Sequence, residues 1–206
     1  MNEVVPGVHH WTAPHPRIGK QVHSHYVADA ATLIDPMVPP EGMPELRPAP
    51  ERVVLSARHH LRDAQRFLDE FGSLPMLCHE DGLHEFGDGD PQVGAYRFGD
   101  ELAPGITAQP MGAIAPDDTV LYIRARGQGL LAFADALIRW QGEPAFVPDF
   151  LMDEPERTKA GILRALDDLL ELDFQHLLFA HGEPLVGGGR SALEDFMASP
   201  RSADFG

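Results

Sequence analysis

The stretch Val53-Val54-Leu55-Ser56-Ala57-Arg58-His59-His60-Leu61-Arg62-Asp63-Ala64 constrains the fold more than any other part of the chain. Three apolar, β-favouring residues give way to small, basic and histidine residues. From His60 onward the apolar positions Leu61, Ala64, Leu68 and Phe71 recur at helical spacing, with a stop at Gly72. A short buried strand that turns directly into a helix is a unit of a layered α/β fold. Such folds carry their chemistry where strands end, so the polar groups of this junction are candidates for a site.

The same arrangement recurs downstream. Leu130-Leu131-Ala132-Phe133 closes on Ala134-Asp135, and Leu177-Leu178-Phe179-Ala180 closes on His181-Gly182. Pro75-Met76-Leu77-Cys78 leads into His79-Glu80-Asp81-Gly82-Leu83-His84, and Thr119 to Arg124 is the clearest strand. Gly7 to His15 reads as a short strand, Val22 to Ile34 as a strand pair turning at Ala28-Asp29-Ala30, and the prolines from Pro39 to Pro50 as a loop. Gly94 to Phe98 and Ile106 to Gln109 read as strands on either side of the Gly99-Asp100 turn. Pro155 to Leu172 is the best helix, with Ile162, Leu163, Leu166, Leu169 and Leu170 in one apolar stripe, and Ser191 to Met197 makes a terminal helix. No internal repeat and no linker-like stretch divides the chain, so residues 1–206 are expected to form a single domain. A chain of this length buries roughly 70% of its unfolded surface.

Charge narrows the function classes. A formal net charge of −16 argues against a nucleic-acid partner and against an anionic membrane surface, since both need clustered Lys and Arg. The first residues lack the basic and apolar segments of a signal peptide, and no apolar run approaches the roughly 20 residues of a membrane helix. The expectation is a soluble, acidic, cytoplasmic protein acting on a small-molecule ligand or substrate. Cys78 is the only cysteine, which leaves no intrachain disulfide and no cysteine zinc site; its apolar neighbours predict a buried, inert thiol.

Three strand ends carry groups that bind metal ions: His59, Asp135 and His181. Two imidazoles and a carboxylate suit zinc, iron or manganese, provided the fold sets those strand ends side by side. His79 and His84 flank an acidic loop and either line the mouth of a pocket or are ordinary surface histidines. His9-His10 and His23-x-His25 could take metal adventitiously on an edge strand, and no site is built on them. Gly187-Gly188-Gly189 lacks the Lys-Ser/Thr ending of a phosphate loop.

These features together resemble the metallo-β-lactamase fold superfamily. The similarity lies in the Ser56–Asp63 strand-loop-helix, the Gly99-Asp100-Glu101-Leu102 turn, the Thr119–Ile123 strand and the Asp135-Ala136-Leu137 turn. It continues through His181-Gly182-Glu183-Pro184 and the glycines before the last helix, and it covers about Val22 to Phe196. The resemblance implies an α/β (α+β) fold, a four-layer αββα sandwich with its site at the strand ends between two sheets. The family's main motif, Thr-His-x-His-x-Asp-His, supplies ligands to two metals. Aligned here, Ser56 takes the threonine position, Ala57 the first histidine, His59 the second, Leu61 the aspartate and Arg62 the last histidine. A further family histidine falls near Ile114, while the bridging aspartate matches Asp135 and the final histidine His181.

The substitutions imply a degenerate centre. Leu61 cannot coordinate, and Arg62 brings a fixed positive charge to where a second ion would sit. At an effective dielectric of about 20 and roughly 4 Å, that is about 4 kcal/mol of repulsion per unit charge. The resemblance therefore implies a hydrolase-like protein with one divalent ion at most, held by His59, Asp135 and His181, with Asp135 handling the proton of the attacking water. Arg62 would hold Asp135 or the anionic end of a substrate, with His60, His79 and His84 lining the pocket. The family cleaves lactams, thioesters, phosphodiesters and lactones, and no residue here chooses among them. The alternative is a pseudo-enzyme: a non-catalytic, metal-free member of the fold binding a small ligand or a protein in the same cleft.

Overall fold

A computed structural model describes residues 1–87 and 90–205. Seven strands form a first sheet in chain order: β1 (Asn2–Val5), β2 (Val8–Pro14), β3 (Gln21–Val27), β4 (Thr32–Ile34), β5 (Arg52–Val54), β6 (Met76–His79) and β7 (Val93–Tyr96). Pairing is antiparallel from β1 to β4 and parallel from β4 to β7. The second half of the chain supplies β8 (Glu101–Ala103), β9 (Ile106–Pro110), β10 (Thr119–Ala125) and β11 (Gln128–Phe133). A separate hairpin, β12 (Ile138–Trp140) and β13 (Glu143–Ala145), follows. The last strand, β14 (His176–Phe179), completes a second sheet in the order β14-β11-β10-β9-β8. The helices are α1 (Ala64–Phe71), α2 (Pro155–Leu169) and α3 (Gly189–Ala198).

Side-chain alternation along the strands builds the layers. Leu121, Ile123, Leu130, Ala132 and Leu178 of the second sheet meet Val8, Val27, Ile34 and Val54 of the first in one shared core. Their chain neighbours Val120, Leu131, Phe133, Leu177 and Phe179 point the other way, onto Ile162, Leu166 and Leu169 of α2 and Leu193 and Phe196 of α3. On the far side of the first sheet, Val53, Leu55 and Met76 pack against Ala64 and Phe67 of α1. A strand buried on both faces must be apolar at consecutive positions, which is why these runs read as continuous rather than alternating. The result is the expected αββα sandwich.

Several boundaries differ from the sequence reading. Residues Arg58–Leu61 form a tight 3-10 turn, and Arg62 has φ of 43°, so the regular helix begins only at Ala64. Strands β1 and β8 and the β12–β13 hairpin, each strand three or four residues long, are not expected from the sequence pattern. The strands expected around Gly99-Asp100 exist but belong to different sheets, β7 to the first and β9 to the second. Cys78 is fully buried, and burial pushes its thiol up to about 12, as expected of an inert cysteine. Among the described residues no helix is long and apolar enough to cross a membrane.

Leu121 has no exposed surface and lies in the core shared by the two sheets. Leu121→Ala is expected to cost about 2–5 kcal/mol in urea unfolding. A loss under about 1 kcal/mol would show that the sheets do not depend on this contact.

Candidate metal centre

Strand register brings the site together. Strands β11 and β14 run parallel with Phe133 opposite Phe179. Two residues beyond that pair, Asp135 and His181 stand side by side, and His181 Nε2 lies 3.1 Å from Asp135 Oδ1. Gly182 is required directly after His181: its φ is 125°, and a Cβ there would strike the backbone of Arg139. The main chain of Arg139 in turn donates to the His181 carbonyl at 2.9 Å. From the first sheet, the 3-10 turn after β5 aims His60 at the same carboxylate, with Nε2 at 3.3 Å from Asp135 Oδ1. One ligand atom from each of His60, Asp135 and His181 lies within 4.8 Å of the others.

His59 does not join them. Its side chain is more than half exposed and its Nδ1 faces Glu85 at 3.7 Å. The tight turn at Arg58–Leu61 carries His60 inward, at φ −94° and ψ 20°, and leaves His59 facing Glu85. His60, expected as a pocket residue, stands where His59 was expected. Of the positions where the family carries further ligands, Ala57 is buried, Leu61 packs with the α1 core and Ile114 with the α2 and α3 core.

Arg62 also has a different task from the one expected. Its guanidinium donates to the carbonyls of His23 at 2.7 Å, Asp35 at 2.8 Å and Ala180 at 3.4 Å. Those three bonds tie the ends of both sheets together through main chain, while the Asp35 and Asp135 carboxylates act on the guanidinium as charges. His79 is buried, with its ring stacked 4.0 Å from Phe98 and its Nδ1 accepting from the Asp81 amide. His84 is exposed on the short helix Glu80–Glu85. Neither takes part in the convergent group.

The sequence reading missed two carboxylates that position the centre. Asp35, one residue past β4, accepts from His60 Nδ1 at 2.9 Å, from the Ser56 amide at 2.8 Å and from the Ser56 hydroxyl. It sits at φ 48°, a conformation costing about 1–3 kcal/mol without glycine, which these bonds hold in place. Asp118, just before β10, is buried and accepts at Oδ2 from the amides of Asp135 and Ala136, each at 3.1 Å. Both occupy strand-end positions, the one signal that could have found them.

The electrostatics follow from these contacts. Burial alone would lower the His60 pKa, but the Asp35 and Asp135 carboxylates override it and raise it to about 9. Burial alone would raise the Asp135 carboxyl, yet His60 and His181 hold it well below the usual range. Asp118 goes the other way: burial, then the neighbouring Asp135 charge, pushes its carboxyl well above the usual value. Asp135 and His181 keep 30% and 24% of their side chains exposed, against 5% for His60, so the group is reached from the Asp135–His181 side.

If Asp118 acts as a neutral acceptor, Asp118→Asn is expected to unfold within about 1 kcal/mol of wild type at neutral pH. Asp118→Ala strands two amide donors and is expected to cost about 1–3 kcal/mol. Equal losses for the two in parallel urea unfolding would show that Asp118 does not act as a neutral acceptor.

No protein-family model matches the chain, and no curated protein matches it in sequence. Solved structures do match in shape. A metallo-beta-lactamase family protein from Thermus thermophilus superposes with a TM-score of 0.64 at 19% identity, over 95% of this chain and 80% of that one. Rubredoxin oxygen:oxidoreductase from Desulfovibrio gigas gives 0.66 at 14% identity, over 96% of this chain and 60% of that one. An N-acyl homoserine lactone hydrolase with product bound at its catalytic metal center gives 0.56 at 13%, over 85% and 92%. The chain therefore has the metallo-β-lactamase fold.

Proposed function

We propose that this chain is a hydrolase-like protein whose centre holds at most one divalent ion, zinc, iron or manganese, on His60, Asp135 and His181. The convergence of one ligand atom from each within 4.8 Å carries the reading. The donor set fits: three protein ligands of nitrogen and oxygen type leave a position open, as catalytic zinc sites do. The surroundings fit too, because His60 commits Nδ1 to the Asp35 carboxylate and leaves Nε2 for the cleft, the arrangement that orients metal-bound imidazoles. With Leu61 turned into the core and Arg62 occupied by carbonyls, the first sheet supplies one ligand only.

A bound divalent ion would act as a Lewis acid and make water a nucleophile at neutral pH. Asp35 and Ser56 fix the orientation of the His60 ring. Asp118 fixes the turn that carries Asp135. Asp135, the partly exposed carboxylate of the group, would take the proton of the attacking water. Proteins of similar fold include both a lactone hydrolase and an oxygen oxidoreductase, and the single-ion centre proposed for this chain favours the hydrolytic side.

A second reading has its own support. Without an ion the two carboxylates still have a partner, since His60, its pKa raised to about 9, sits between Asp35 and Asp135. In that state the cleft is a closed hydrogen-bonded network, suited to a non-catalytic small-ligand or protein-binding role.

Elemental analysis separates the two. Untagged protein from cells grown with zinc, iron and manganese is expected to lose one equivalent of metal in His60→Ala/His181→Ala and none in His59→Ala. In a panel of lactone, thioester, lactam and phosphodiester substrates, Asp135→Asn is expected to lose about 100-fold or more of any hydrolysis found. Unchanged metal content in the double variant would leave only the second reading.

A further inference from the structure

A second cluster of imidazoles lies outside this centre. Strands β2 and β3 pair with His10 opposite His25 and Thr12 opposite His23. Period-two alternation then puts His10, His23 and His25 on one face of the sheet, while His9 turns to the other face and stacks on Tyr26. His10 Nε2 meets His23 Nδ1 at 2.8 Å. Glu183, two residues beyond His181, brings a carboxylate oxygen to 3.9 Å from His10 Nδ1. The two rings are buried, whereas Glu183 keeps 70% of its side chain exposed.

Two further observations point to a ligand here. A groove of about 600 Å³ opens on His10 and Glu183; its walls carry the carboxylates of Glu41 and Glu45 and the amino terminus of Met1, but no lysine or arginine. None of His60, Asp135 and His181 lines it. Behind His10, with ring centroids 5.3 Å apart, His25 is buried and its Nε2 has no hydrogen-bond partner among the described residues. Three imidazoles packed with one nitrogen unsatisfied cost more than apolar residues of the same size would.

We propose that His10, His23 and Glu183 form a second site for a divalent transition-metal ion of the zinc class, facing the groove and independent of the function proposed above. One ligand atom from each lies within 4.8 Å of the others. A tetrahedral zinc with bonds of about 2.0–2.1 Å sets its ligand nitrogens about 3.3 Å apart. That spacing falls between the 2.8 Å contact and the 4.8 Å limit, so the ligand atoms need to shift by no more than about 1.5 Å to hold an ion. Nitrogen donors with a single carboxylate select zinc, cobalt or nickel over calcium or magnesium. The ion enters from the acidic groove, and binding replaces the hydrogen bond between the two rings, releasing any proton it displaces to solvent.

Cobalt titration tests this in full-length, untagged protein carrying Asp135→Asn and His181→Ala, which disables the first centre at its partly exposed members. One equivalent of cobalt with visible absorption of tetrahedral intensity is expected. Adding Glu183→Gln, an exposed change that does not threaten folding, is expected to weaken binding by roughly 100-fold, at least the loss seen for outer-shell partners. Adding His23→Ala is expected to abolish it. No stoichiometric cobalt, or binding indifferent to either added substitution, overturns the site. Should the combined variant not fold, Glu183→Gln in the wild-type chain serves, with one bound equivalent fewer than wild type expected and an unchanged count overturning the proposal.

Discussion

One imidazole held between two carboxylates organises the cleft. His60 joins Asp35, from the end of a strand in the first sheet, to Asp135, from the end of a strand in the second. Arg62 reinforces the same junction by donating to carbonyls at the ends of β3, β4 and β14. Charge-assisted bonds of this kind are strong where solvent is excluded, and losing one member would leave a buried charge unpaired. The sheets are therefore tied at the edge where the site lies as well as through their shared apolar core.

That junction holds the shape of the cleft by contacts that involve no metal. Ala57 is buried, Leu61 and Ile114 pack against apolar cores, and Arg62 makes cross-sheet ties to main-chain carbonyls. What persists around His60 is a carboxylate on each side of the ring and a second imidazole beyond it. The set is small enough to hold one ion and self-sufficient enough to stand without it.

Much of this was legible in the sequence, and the exceptions have physical causes. Apolar runs such as Leu130–Phe133 and Leu177–Ala180 announce strands buried on both faces, and a parallel register then aligns Asp135 with His181. The choice between His59 and His60 was not legible, because it depends on a four-residue turn whose pitch decides which side chain faces inward. His23 and His25 sit two apart, so a shared face could be read, but joining them to His10 needs the β2–β3 register. Adding Glu183 needs the return of the chain across the whole fold. Asp35 and Asp118 look like ordinary strand-end aspartates until their acceptor roles are known.

The central claim is that His60, not its neighbour, completes a metal centre with Asp135 and His181. Crystals grown with zinc and measured at the zinc absorption edge test it most directly. The expected anomalous peak lies about 2.0–2.2 Å from one nitrogen each of His60 and His181 and from an Asp135 oxygen. A difference map with no peak between those three side chains, or with zinc at His59 and Glu85 instead, would contradict it.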